Sequence, residues 1–228
     1  MVNRRTARCP FTIYHLPFTI YRIMSSHIDL RAWFGQLDIY LFDQLLKGRF
    51  TPGMRLLDAG CGDGRNLVYF LRSGYRVFGV DDSPAAIAQV RRLASSLSPQ
   101  LPAENFRVER VEQMSFDAGS FDAVISSAVL HFASDEEHFD GMVAEMWRVL
   151  KRGGIFFSRL ASNIGIENRV QHLEGRRYHL PDGSDRFLVD EEMLLRMTER
   201  LGGELIEPIK TVNVQNLRCM TNWCVRKI

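Results

Sequence analysis

The residues of this sequence best placed to do chemistry are an aspartate and the three glycines that follow it. In Leu56-Leu-Asp-Ala-Gly-Cys-Gly-Asp-Gly64, Asp58 precedes Gly60, Gly62 and Gly64 at alternate positions. Alternating glycines let a backbone pass close to a ligand and take up angles that a side chain forbids. An acid at that place would repel a pyrophosphate, but it suits a cationic ammonium or sulfonium. Asp81 closes the apolar run Arg76-Val-Phe-Gly-Val80 about twenty residues later, where a carboxylate can accept from both ribose hydroxyls. A nicotinamide-binding unit would want glycines spaced G-x-G-x-x-G, and here they run G-x-G-x-G with an acid two residues ahead. The glycine loop alone is a weak signal; joined to Asp58 and Asp81 it is a specific one.

These residues need a scaffold, and the hydrophobic pattern supplies it. From Ser26, a candidate N-cap, the positions Leu30, Trp33, Phe34, Leu37, Leu41 and Leu45 predict one amphipathic helix. Thr51-Pro-Gly53 breaks the chain, Met54 to Asp58 reads as a buried strand, and the glycine turn opens a helix carrying Leu67, Phe70 and Leu71. Arg76 to Val80 is a second strand, and Ser83-Pro84 starts the next helix, with Ile87, Val90, Ala94 and Leu97 inside. Phe106 to Glu109, Phe121 to Ser126 and Ile155 to Leu160 read as further strands. A helix bearing Phe139, Met142, Val143, Met146 and Leu150 lies between the last two. Strand and helix alternating in this way predict an α/β fold: a Rossmann-like, mostly parallel sheet with helices on both faces. After a helix over 191–201, strands around 205–214 and 217–225 should close it as an antiparallel C-terminal hairpin, making seven strands.

Length and composition bound the function. The chain has 228 residues, 46% of them hydrophobic and 25% charged, which suits one sizeable core. A net charge of +2 with scattered basic pairs argues against a nucleic-acid or membrane surface as partner. Cys9, Cys61, Cys219 and Cys224 lack the close spacing of a zinc site, so no metal is expected; they read as reduced thiols of a cytoplasmic protein. Residues 10–16, Pro-Phe-Thr-Ile-Tyr-His-Leu, are nearly copied in 17–23. Residues 1–23 therefore read as a dispensable extension, disordered or translated from upstream sequence, and 24–228 as one domain. A flap closing over the site is the alternative for the extension. Residues 163–189 are polar and aperiodic, with a turn at Pro181-Asp-Gly183, and are expected to form a lid over a substrate pocket.

The motifs resemble those of the class I S-adenosylmethionine-dependent methyltransferases. The first is Leu56 to Gly64, and the second is Gly79-Val80-Asp81. Phe116-Asp-Ala-Gly-Ser-Phe-Asp122 looks like the approach to that family's fourth strand, and Arg148-Val-Leu-Lys-Arg-Gly-Gly154 like the turn before its fifth. The resemblance covers Met54 to Leu160 and implies S-adenosyl-L-methionine as cofactor. It also implies that Asp58, Gly60 and Gly62 hold the methionine part and Asp81 the ribose, with Asp82 beside it. Glu112 and Gln113 would flank the adenine, and Ser127 the methionine end. Where the family often has an aspartate for the adenine amino group, this chain has Arg110.

On the acceptor side, His131 follows strand four where family members line the substrate cavity. It is either a base or polar contact, or a histidine bonded to nearby backbone. Tyr178, with His179, lies in the lid and is the second catalytic candidate, against ordinary lid packing. Arg159 binds an anionic substrate or pairs with a local acid; Trp33 reads as core, and Tyr40 as an edge residue able to face the cofactor. The expected reaction is in-line methyl transfer to a small-molecule nucleophile. Gly64-Arg-Asn66 and the ending Met220-Thr-Asn-Trp-Cys-Val-Arg-Lys227 are similar to tellurite-resistance and thiol-type methyltransferases, which adds a chalcogen or thiol anion as an alternative acceptor. A macromolecular acceptor would want a recognition domain or an Asn/Asp-Pro-Pro-Tyr motif after strand four, and neither is found. A non-catalytic scaffold would not need Asp58, Gly60, Gly62 and Asp81.

Overall fold

The computed structural model describes residues 29–228. The expected extension 1–23 and the Ser26 cap lie outside the described residues. Where one leading helix was expected there are two, α1 (Leu30–Phe34) and α2 (Ile39–Leu46). Each opens on its own acidic cap: Asp29 accepts from the Ala32 amide and Asp38 from the Tyr40 amide. Gly35, at φ +61°, ends the first. Trp33 is 44% exposed among the described residues, so it is a surface residue rather than a core one.

The sheet is built from β1 (Arg55–Ala59), β2 (Arg76–Asp81), β3 (Phe106–Val108), β4 (Phe121–Ser127), β5 (Leu150–Ser162), β9 (Gly203–Leu205), β10 (Lys210–Val214) and β11 (Arg218–Lys227). Its order is β3-β2-β1-β4-β5-β11-β10, with β9 also on β11. Strands β1 to β5 pair in parallel, whereas β11 runs antiparallel to β5 and β10. The Rossmann-like fold and the C-terminal hairpin expected from the sequence are both present. The eighth strand arises because the expected 205–214 strand is interrupted around Pro208, which has no amide hydrogen to give a ladder.

Helices cover both faces. On one side α5 (Glu136–Val149) and α6 (Glu191–Arg200) bury Phe139, Met146, Leu194 and Met197 against Phe156 and Trp223. On the other, α2, α3 (Val68–Arg72) and α4 (Pro84–Leu97) pack Leu41, Phe70, Ile87 and Val90 on Leu56, Ile125 and Phe157. The cap-then-proline start of α4 is as expected, Ser83 accepting from the Ala86 amide. Residues 163–189 are more ordered than their composition suggests. They carry a second, three-stranded antiparallel sheet of β6 (Gln171–Glu174), β7 (Arg177–His179) and β8 (Asp185–Phe187). Phe187 anchors it, stacked on Phe139 of α5 with ring centroids 4.9 Å apart, while Arg176 ties it to Asp190 at 2.9 Å.

Candidate active site

In a doubly wound sheet, ligands sit beyond the carboxyl ends of the parallel strands near the switch in strand order, here between β1 and β4. The glycine loop following β1 is pinned there. The amides of Gly60 and Cys61 both donate to the Val80 carbonyl at the end of β2, and the Gly62 amide donates to Asp81 at 2.9 Å. Gly60 could not carry a side chain, because its Cβ would lie 2.5 Å from a Val129 methyl. Gly62 differs: its φ is +53°, and a Cβ would point into open space, the side from which a ligand can reach the backbone.

A cavity of about 400 Å³ opens in front of this loop. Gly60, Asp81, Asp82 and Glu112 line it, together with Val111, Val129, Phe132 and Met142. Asp81 is oriented by two amides, those of Gly62 and Ser83, which leaves the remaining lone pairs of its carboxylate to face the cavity. At the rim the Arg110 guanidinium lies 2.5 Å from Glu112, whose carboxylate also faces His138 Nε2 at 3.5 Å. The acid beside the departing arginine is therefore engaged by two basic groups. Gln113 is exposed and off the cavity wall, its amide turned back to the Arg110 carbonyl.

A pair that the sequence reading passed over sets this segment. Arg148 of α5 donates to the carbonyls of Met114 and Phe116, and Glu145 accepts from the Met114 amide at 2.8 Å. The ion pair between them holds the Glu145 carboxyl below its ordinary range. Their i, i+3 spacing was legible, but its target in the chain was not.

Asp58 is only 1% exposed, and neither of its carboxylate oxygens has a hydrogen-bond partner among the described residues. Burial pushes its pKa up to about 7, the nearby Asp81 adding to the rise and Arg65 opposing it. Strand alternation and pairing register put Asp58, Ser127, Arg159 and Asn222 on the same side of the sheet as Ile125, Phe157 and Cys224. Arg159 Nε and both amide atoms of Asn222 are likewise buried without partners. Polar atoms orphaned in a core cost free energy unless water or a ligand satisfies them. Ser127, buried, accepts from Arg65 at 3.3 Å and stands within this band of orphaned groups.

A second cavity, about 250 Å³, adjoins the first, and Ala128 belongs to the walls of both. Ala128 has φ +64°, a left-handed angle that a side chain resists, and it is held there by its amide bond to the Arg159 carbonyl. His131 lines this second cavity. Its Nδ1 accepts from the Ala161 amide at 3.3 Å, so the ring proton sits on Nε2. Burial and the charges of Arg186, Arg218 and Arg159 push its pKa down to about 4. Of the two readings of Arg159, the pairing with a local acid is present, to Asp38 at 3.1 Å, and the residue also lines this cavity. Tyr40 lies against that guanidinium, 5.4 Å from ring centroid to carbon. Tyr178 lies on neither wall. As part of the central strand of the small sheet, it packs against the cluster of Ala161, Leu180, Leu188 and Met220. His179 is paired with Asp185 at 2.6 Å.

Residues 57–158, which carry the glycine loop, Asp81, the Glu112 rim and Ala128, match a family model described as a methyltransferase domain. That stretch, just under half of the chain, is a methyltransferase domain. Over 106 residues it is 33% identical to an uncharacterised methyltransferase of Synechocystis sp., covering 46% of each chain. The chain spans about half the length of the curated relatives it matches. Among solved structures, it resembles the 1,6-didemethyltoxoflavin-N1-methyltransferase of Burkholderia thailandensis at 20% identity and a TM-score of 0.63. The match covers 91% of this chain and 86% of that one. It resembles the [4+2]-cyclase SpnF equally, at 20% identity and TM-score 0.63, covering 82% and 80%. These two likenesses establish the fold of the methyltransferase domain.

The site suits the family's cofactor on its own terms. The methionine part of S-adenosylmethionine presents an ammonium and a carboxylate. The Asp58 carboxylate is complementary to the ammonium, and the Arg159 guanidinium, whose Nε has no partner among the described residues, to the carboxylate. Among the described residues no cluster of His, Cys, Asp or Glu could hold a metal.

Proposed function

We propose that this methyltransferase domain moves the methyl group of S-adenosylmethionine to a small-molecule acceptor that enters by the second cavity. The observation that carries this reading is Asp58, a buried carboxylate without partners beneath a glycine loop that opens on two joined cavities. When bound, the cofactor supplies a methyl carbon activated by its sulfonium. The chain's own residues then have to hold it, orient the acceptor and keep water out. Asp58, with Arg159, would hold the amino-acid end; Asp81 would accept from the ribose hydroxyls, and Asp82, Val111 and Glu112 would flank the base. Gln113 would contribute by backbone alone.

Transfer by in-line displacement forms the bond from nucleophile to carbon as the bond from carbon to sulfur breaks, and the sulfur keeps the electron pair. Holding the nucleophile in line can supply on the order of 7–11 kcal/mol in favourable intramolecular cases. Within the second cavity, His131 is a poor base: it is neutral, carries its hydrogen on Nε2 and is pushed down to about 4. The acceptor therefore arrives with a free lone pair, already ionised or needing no deprotonation, and His131 orients it. This favours keeping the thiol or chalcogen anion as a second reading of the acceptor. The 163–189 segment acts as roof through Leu180, Ser184 and Arg186 on the cavity wall. We expect the protein to act in the cytoplasm, its buried Cys61, Cys219 and Cys224 remaining free thiols.

A panel of acceptor candidates incubated with S-adenosylmethionine, with release of S-adenosylhomocysteine as the readout, tests the reading. Tight cofactor binding with no methyl transfer to any acceptor, and instead turnover of a polyene by ring closure, would favour a cyclase on this fold.

A further inference from the structure

The second cavity is unusually basic for its size. Four arginines, Arg65, Arg159, Arg186 and Arg218, line it against a single carboxylate, Asp182. They come from four separate segments: the glycine loop, β5, β8 and β11. Two of them lean toward the orphaned band. Arg159 is paired with Asp38, and Arg65 donates to Ser127 beside Asp58. The other two approach from the roof and the sheet edge. Arg186 lies over the Phe132 ring at 4.9 Å and, among the described residues, donates only to its neighbour's carbonyl, while Arg218 stands 3.9 Å from Asp182. Asp182 is the one carboxylate of the wall that faces both, and the two arginines lower the basicity of His131.

Like charges converging on a small cavity focus a field that draws in an ion of opposite sign. Guanidinium forks match the planar oxygens of carboxylates and the oxygens of phosphates. We infer that the acceptor is an anion, a small molecule bearing a carboxylate or phosphate group that Arg186 and Arg218 hold while its nucleophile faces Ala128. The His131 Nε2 hydrogen adds a neutral donor to the same wall. This rests on the first cavity being the cofactor's site. One other anion could reach these arginines, the cofactor's own carboxylate, and the test separates the two.

The chain is saturated with S-adenosylhomocysteine and titrated with inorganic phosphate and with malonate, against chloride at equal ionic strength. Backbone amide shifts of residues 128–132 and 184–186 are followed by NMR. Saturable shifts are expected that chloride does not reproduce. Binding should weaken at least about tenfold in the double variant Arg186→Gln/Arg218→Gln, consistent with loss of charged hydrogen bonds. It should be unchanged in the surface control Arg196→Gln, and the double variant should bind S-adenosylhomocysteine within about twofold of the parent, as expected for independent sites. Shifts equal to those in chloride, or undiminished in the double variant, overturn the inference. So does anion binding that occurs only without S-adenosylhomocysteine, together with lost S-adenosylhomocysteine affinity in the double variant, because the arginines would then serve the cofactor's carboxylate. If S-adenosylhomocysteine fails to bind the parent chain, the cofactor reading falls instead, and titrating the unloaded chain decides the anion site by itself.

Discussion

The Nδ1 of His131 accepts a hydrogen bond from the Ala161 amide, 30 residues away along the chain. That bond fixes the tautomer and turns a candidate base into a donor. Burial and three arginines keep the ring neutral, with a pKa near 4. The unfolded imidazole titrates near 6.5, so below that pH the unfolded state binds a proton that the folded state refuses. Stability from this group is full above about 6.5 and is lost as pH falls toward 4. His131 should show no titration between pH 5.5 and 8 in an NMR experiment on labelled imidazoles, and its Nε2 should stay protonated. His131→Gln should retain most of the turnover and be less acid-labile than the parent. A His131 resonance titrating near 6.5 would contradict this.

Asp58 behaves in the opposite sense. Its folded pKa is raised to about 7 from an ordinary 3.8, so the folded state holds a proton that the unfolded chain releases. The unliganded protein therefore loses stability from this group as pH rises from about 4 to 7. Asp58→Asn should gain on the parent in melting temperature from pH 4 to about 7, and the difference should level off above that. A melting-temperature difference that does not change with pH would rule out the raised pKa.

The three-stranded sheet of residues 163–189, proposed as the roof, is also part of the core. Phe187 is 1% exposed and stacked on Phe139, so Phe187→Ala should cost about 3–5 kcal/mol in urea unfolding. Tyr178→Phe should alter turnover little, since the Tyr178 ring packs away from both cavities. A tenfold fall in kcat at unchanged KM for Tyr178→Phe would return the hydroxyl to the reacting centre.

Asp81→Ala removes an acceptor that serves both the ligand side and the Gly62 amide. Charged hydrogen bonds of this kind are worth about 1.5–3 kcal/mol each, so S-adenosylhomocysteine should bind at least tenfold more weakly. Gly62→Val should abolish binding, because its side chain would fill the open space before the loop and strain a φ of +53°. Calorimetry reads both, and unchanged affinity in either variant would displace the cofactor from this loop.

What the sequence disclosed follows from what is local. Asp58, the glycines and Asp81 stand at strand ends, and strand ends are written in hydrophobic period and turn residues. Glu112 and His131 could be placed for the same reason, being a few residues from strands. The split of the first helix was missed because Asp29, Gly35 and Asp38 outweigh an apolar stripe that continues through them. The packing of Tyr178 could not be read from position alone, since the side a short strand turns inward depends on its partner strands. The second cavity was legible only in part: Arg159 suggested it, but Arg65, Arg186 and Arg218 converge from distant segments, and no spacing along the chain encodes that meeting. Orphaned polar atoms such as the Arg159 Nε are visible only once the core is assembled.

The central claim is that Asp58 recognises a cationic cofactor through its ionised carboxylate. Calorimetric titration of S-adenosylmethionine into the parent chain and Asp58→Asn at pH 6, 7 and 8 tests it most directly. One molecule per chain should bind the parent. Affinity should fall as pH drops below about 7, approaching tenfold per unit, because the carboxyl must give up its proton to meet the cation. Asp58→Asn should bind at least about tenfold more weakly at pH 8 and lose that pH dependence. Affinity that is flat with pH in the parent and unchanged in Asp58→Asn would contradict the account.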